Sequence, residues 1–67
     1  MMLTPYQHGV VRVLKESLAF SESDPQFQNY KYVNQDLSEL VAKQIIRYVP
    51  RTDTYVQGPN FEEVRLG

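Results

Sequence analysis

The chain holds one histidine, His8, and four serines as candidate nucleophiles for it, Ser17, Ser21, Ser23 and Ser38. Such a pair does nucleophilic chemistry only when a carboxylate orients the imidazole and donors await an oxyanion. Helical spacing sets His8 beside Arg12, Lys15 and Glu16 on a polar face, where an imidazole is expected to be solvated. Glu62 and Glu63 are the other candidate pair, but neighbours on a strand point to opposite faces. Gly9, Gly58 and Gly67 are too far apart for a phosphate-cradling loop. There is no cysteine, so disulfides and thiolate metal sites are excluded, and a single histidine does not make a zinc centre. The expectation is a protein that is not an enzyme, has no catalytic residues, and binds no cofactor, metal or small-molecule substrate. Ser21-Glu22-Ser23-Asp24 has the acidic surroundings that acidophilic kinases prefer; read plainly, it is a polar linker.

Seven Lys and Arg stand against eight Asp and Glu, a net charge of −1, which gives no basic face for nucleic acid. No apolar run approaches the roughly 18 residues of a membrane span. The N-terminal residues lack the basic and apolar regions of a signal peptide, since Pro5, Gln7 and His8 come too early. A cytoplasmic protein is expected, in the host cytoplasm if the source is viral. With 67 residues the chain is one small domain at most, and its core is marginal. Small scaffolds of this kind are completed by disulfides, metals or partners. The first two are excluded or disfavoured here, so a partner protein or a second copy of the chain is expected.

The elements that would position these residues are two amphipathic helices. Thr4 is a good N-cap, Pro5 suits the first helical position, and Gln7 completes a capping box. Tyr6, Val10, Val13, Leu14, Leu18 and Phe20 fall on one arc with Val11 at its edge, which predicts a helix over 5–20. A connector over 21–35 carries Tyr30 and Tyr32. Asn34 or Asp36 caps a second helix over 36–49, with Glu39 and Lys43 as an i,i+4 pair and Pro50 as its stop. Its apolar arc is Leu37, Leu40, Val41, Ile45, Tyr48 and Val49. Thr54 to Gln57, a Gly58-Pro59-Asn60 turn and Phe61 to Leu66 read as a hairpin or an extended arm over 54–66. The fold class is therefore mainly α, with α+β as the alternative: two antiparallel helices in which Leu14 and Leu18 face Leu40, Val41 and Ile45, then a short hairpin.

On that helix Ile46 lies about 100° from the centre of the apolar arc. A lone exposed isoleucine is ordinary. With Ala42 one turn before it and Val49 after it, Ile46 could instead belong to a second strip used by a partner. Arg47 and Tyr48 would flank that strip. Tyr30 and Tyr32 would add to it, because tyrosine combines a flat apolar ring with a polar tip.

The segments "VVRVLKESL" (10–18) and "YVNQDLSELVAKQI" (32–45) resemble the two helices of Tctex-type dynein light chains. The resemblance covers about half of the chain. It implies a domain-swapped dimeric sheet after the second helix, but only residues 51–67 follow Pro50 to supply it. The functional expectation is a non-catalytic protein–protein interaction module, either an accessory subunit or adaptor, or a homodimer. The alternative is a small phage- or virus-type inhibitor that blocks a host protein.

Overall fold

The computed structural model describes residues 3–25 and 33–64. It shows an α+β chain: helix α1 (Pro5–Glu16), helix α2 (Val33–Ala42), strand β1 (Ile46–Val49), strand β2 (Thr54–Gln57) and a 3-10 turn (Phe61–Glu63). The two helices and the helix-then-hairpin order are as expected. The boundaries and the partner strands are not.

The start of α1 follows its sequence. The Gln7 amide N–H donates to Thr4 Oγ1 at 3.1 Å, and the Thr4 N–H donates to Gln7 Oε1 at 3.0 Å. Two otherwise orphan N–H groups are satisfied in this way. Gln7 is fully buried, and its Nε2 also donates to the Asp36 carbonyl at 3.1 Å. That contact joins the first turns of the two helices. Helices laid antiparallel along each other would instead bring Gln7 to the last turn of α2.

Helix α1 ends at Glu16, four residues before the expected boundary at Phe20. Leu18 is consequently 94% exposed rather than packed on the second helix. Phe20 leaves the helical frame and forms a β-bridge with Tyr55. The core holds Tyr6, Val10, Val11, Leu14, Phe20, Leu37, Leu40, Ile45, Ile46, Phe61 and Val64. Leu14, Leu40 and Ile45 are thus core residues as expected, while Val41 stays 37% exposed.

The largest correction concerns the second helix. It spans Val33–Ala42, not 36–49, so Asn34 and Asp36 lie inside it rather than before it. Asp36 keeps a favourable place near the positive helix end. The C-terminus is closed by Gln44, whose φ is 60°. The Ile45 N–H reaches the Leu40 carbonyl at 3.0 Å and the Gln44 N–H reaches the Val41 carbonyl at 2.9 Å. This 6→1 and 5→2 pair is a Schellman cap, with buried Ile45 against buried Leu40 as its apolar contact. Such caps usually carry glycine or asparagine, so the glutamine gave no stop signal.

Beyond the cap the chain is extended. Ile46, Tyr48 and Val49 have the branched and aromatic side chains that favour strands. β1 pairs antiparallel with β2 in the register Ile46↔Gln57, Arg47↔Val56, Tyr48↔Tyr55 and Val49↔Thr54. Pro50 opens the turn between the strands rather than ending a helix. Thr52 N–H donates to the Val49 carbonyl at 3.2 Å, and Asp53 takes a φ of 54°, tolerable for aspartate. The hairpin therefore spans 46–57, not 54–66. Phe61–Glu63 is a 3-10 turn, not a strand, and seats Phe61 and Val64 in the core.

The Gly58-Pro59-Asn60 segment is a turn, and it docks on the end of α2. Gly58 N–H donates to the Ile45 carbonyl at 2.8 Å, and Asn60 N–H to the Gln44 carbonyl at 2.9 Å. Asn60 Nδ2 donates to the Lys43 carbonyl at 3.2 Å. At the end of α1, Gln57 Nε2 donates to the Leu14 carbonyl at 2.7 Å. Carbonyls that a helix end leaves unpaired thus find partners on the C-terminal third of the chain.

Candidate functional site

The expected contact strip of Ala42, Ile46 and Val49 does not exist. Ala42 is the exposed last residue of α2, and Ile46 is a strand residue only 1% exposed. Val49 is half-buried at the end of β1. Ile46 looked misplaced only because a helical frame had been extended past Gln44; in a strand it points into the core. Tyr30 and Tyr32 lie outside the described residues. Arg47 and Tyr48 are exposed, but as strand residues and not as helix flanks.

Tyr48 is the exposed end of an aromatic row. Its ring centroid lies 5.0 Å from that of Tyr55, tilted by 52°. The Tyr55 ring is 6.3 Å from Phe20, and Phe20 meets Tyr6 edge-on at 6.2 Å. Tyr48 and Tyr55 are register mates, and so are Tyr55 and Phe20. Tyr48, Tyr55 and Phe20 therefore cross three chain segments on one face of the sheet, and Tyr6 of α1 continues the row into the core. Offset and edge-on ring pairs of this kind contribute about 0.5–1.5 kcal/mol each beyond area burial.

The Tyr48 hydroxyl donates to Asp53 Oδ1 across the hairpin turn. That hydrogen bond, then partial desolvation and the nearby negative charges, raise the Tyr48 pKa above its ordinary value. Burial does most to raise the Tyr55 pKa, helped by Glu22 and Asp53. Tyr48 is 41% exposed yet fixed at both ends of its ring. The sequence did not reveal Asp53 or Tyr55 as its partners. They become visible only once the 46–57 hairpin is known.

Hydrogen-bond parity shows which backbone groups of β1 face outward. Phe20 N–H donates to the Tyr55 carbonyl at 2.8 Å, and Tyr55 N–H donates to the Phe20 carbonyl at 2.7 Å. Both main-chain groups of Tyr55 therefore point away from β1, and Tyr48↔Tyr55 is a non-hydrogen-bonded pair. It follows that Arg47 and Val49 aim their N–H and C=O at β2, while Tyr48 aims its own at the outer edge. The Gly58 to Ile45 bond at 2.8 Å fits the same alternation. Among the described residues, no backbone group pairs with Tyr48 from that side.

The other candidates are dispersed. His8 is exposed on α1, and no hydrogen bond joins it to a serine among the described residues. Ser21 and Ser23 bond to each other through their hydroxyls at 2.8 Å in an exposed turn. Glu39 and Lys43 form the expected i,i+4 ion pair, at 3.6 Å on the surface. No group of three or more metal-capable side chains occurs among the described residues. Two open depressions of about 270 and 290 Å³ flank the Phe61–Val64 segment. One is lined by Lys43 and Glu63 over Ile45, the other by Lys15 and Glu62 over Phe61. Each carries one charge of either sign, so neither selects an ion. No helix among the described residues is long and apolar enough to cross a membrane.

Comparison of the chain with protein-family models, with curated proteins and with solved structures finds no match.

Proposed function

We propose that the protein is a non-catalytic protein–protein interaction module that meets its partner through the exposed side of the 46–57 hairpin. The observation that carries this reading is Tyr48, half-exposed but held by Tyr55 and Asp53, with Arg47 beside it and Arg51 in the following turn. Tyrosine and arginine dominate interface energetics. A side chain already fixed loses little conformational freedom on binding. The chain would serve as an accessory subunit or adaptor within a larger assembly; a blocking inhibitor would use the same surface and differ in stoichiometry.

The test is affinity capture from cells of the source with the parent chain and with Tyr48→Ala and Arg47→Ala, each first shown to be folded by circular dichroism. A specific partner retained by the parent, at a fixed ratio, and lost with both variants is expected. A partner captured equally by all three would overturn the placement of the interface.

A further inference from the structure

We propose that the outer edge of β1 accepts an extended segment of the partner as an added antiparallel strand, with an acidic side chain opposite Arg47. The proposal rests on the module reading above and specifies how the partner is held.

The two strands differ in what they leave open. β2 has β1 on one side and Phe20 on the other, whereas β1 is paired only with β2 among the described residues. The unused side of β1 is a short window. Ile46 closes one end, because its backbone is buried with the rest of the residue. Pro50 closes the other, because it has no N–H. Between them Tyr48 presents one donor and one acceptor. Phe20 shows, on the opposite edge of this sheet, that a single residue can dock through one such reciprocal pair, with bonds of 2.8 and 2.7 Å.

Arg47 and Val49 sit at the two non-hydrogen-bonded positions that flank Tyr48 on the outer side. Opposed side chains approach most closely at such positions. Arg47 is exposed, and no ion pair engages it among the described residues. An acidic residue opposite Arg47 and an apolar one opposite half-buried Val49 complete the window. Read from its N-terminus, the antiparallel partner segment is apolar, any residue, acidic.

A second copy of the chain fits poorly. The two-fold axis relating antiparallel strands must stand opposite one residue, since each side chain keeps its face of the sheet. Centred on Arg47, it sets two guanidinium groups against each other and requires the buried Ile46 backbone. Centred on Tyr48, it sets Arg47 opposite Val49, so each guanidinium faces an apolar side chain instead of a carboxylate. Like charge and proline are ordinary means of keeping an edge from pairing with itself.

The probes are two blocked hexapeptides, one with Val-Thr-Glu at its centre and one with Val-Thr-Lys, titrated into the ¹⁵N-labelled full chain. The glutamate peptide is expected to shift the Arg47–Val49 amides and slow hydrogen exchange at Tyr48. The lysine peptide should bind about tenfold more weakly, the scale of one cross-strand charge pair reversed. Arg47→Glu should invert that preference. Tyr48→Pro removes an outward N–H that the β1–β2 ladder does not use, a substitution edges tolerate, and should abolish binding of both. If that variant does not fold, the Arg47→Glu inversion carries the test. Strand addition is overturned by charge-independent binding, by the absence of peptide-induced shifts at millimolar concentration, or by a Tyr48 amide already protected in the free protein. In the last case, protection that grows with protein concentration would identify a second copy as the occupant. Capture that depends on the Tyr48 ring without protection of its amide would overturn strand addition and leave the module reading standing.

Discussion

Replacing Gly58 with alanine tests the packing that ties the hairpin to α2. A Cβ built on Gly58 would lie 2.5 Å from the Gln44 carbonyl oxygen and 3.0 Å from the carbonyl carbons of Gln44 and Ile45. All three are backbone atoms, so no flexible side chain can yield. The φ of Gly58 is not positive, so the requirement for glycine comes from close approach and not from backbone conformation. To make room, the 58–60 segment must retreat from the end of α2. That retreat strains the bonds of Gly58 to Ile45 and of Asn60 to Gln44 and Lys43, now 2.8, 2.9 and 3.2 Å. Overpacking costs about 1–3 kcal/mol, and each weakened hydrogen bond about 1 kcal/mol. Lower entropy of the unfolded alanine chain offsets roughly 0.4–1 kcal/mol. The expected net loss is about 3–6 kcal/mol, read as a lower urea midpoint by far-ultraviolet circular dichroism. A variant with unchanged or raised stability would refute the docking of Gly58 on the α2 cap.

Ile46→Glu should unfold the chain, at a cost of several kcal/mol by order of magnitude, because it buries an unpaired charge; a folded variant by circular dichroism would return Ile46 to the surface. Gln44→Gly should raise stability by roughly 0.5–1 kcal/mol, because glycine accepts the left-handed φ without the Cβ penalty; a loss in chemical denaturation would mean that the Gln44 side chain supports the cap. Leu14→Ala should cost about 2–5 kcal/mol and Leu18→Ala less than about 0.5 kcal/mol; equal midpoints would contradict the end of α1 at Glu16. Burial, then the nearby charge of Glu22, raises the Tyr6 pKa well above its ordinary 10.0. The folded state therefore holds a proton that the unfolded chain releases, so this contribution is complete below pH 10 and is lost as pH rises. The expected slope is about 1.4 kcal/mol per pH unit above 10, and Tyr6→Phe should flatten it in denaturation series at pH 9–11.5.

Local chemistry that occupies its usual residues was legible. The Thr4–Gln7 capping box, the Glu39–Lys43 pair, strand 54–57 and the turn at Gly58–Asn60 could all be read because threonine, glutamine, proline and glycine were in familiar places. The errors arose where an unusual residue carried a turn. Gln44 supplies the left-handed cap without being glycine or asparagine. Leu40, Val41, Ile45, Tyr48 and Val49 then satisfied a helical frame well enough for it to be extended to Pro50, with only Ile46 out of place. The branched and aromatic run Ile45-Ile46-Arg47-Tyr48-Val49 was the available sign of a strand, and Pro50-Arg51-Thr52-Asp53 the sign of its turn. Leu18 and Phe20 were similarly assigned to the first helix by a periodicity that short windows do not resolve. Val11, placed at the edge of the arc, is fully buried. Of the candidate contact residues, Arg47 and Tyr48 are exposed and belong to the proposed contact surface, and Ile46 moves to the core.

The same boundary changes what kind of surface the chain presents. A helix continued to Val49 would have spent Arg47 and Tyr48 on opposite flanks of one rod, each free to rotate about its own side-chain bonds. Ending the helix at Ala42 places both on a strand, where period-two alternation sends Arg47 to the outer face and Tyr48 toward the aromatic row. Tyr48 gains Tyr55 as a cross-strand neighbour only because Gln44 turns the chain, and Asp53 only because the Pro50–Asp53 turn brings the strand back. The outward N–H of Tyr48 is free only in the extended conformation, since a helix would have bonded it to the Gln44 carbonyl. A single left-handed residue thus converts the last turn of a helix, able to offer side chains and carbonyls, into a strand edge that offers side chains with a paired donor and acceptor.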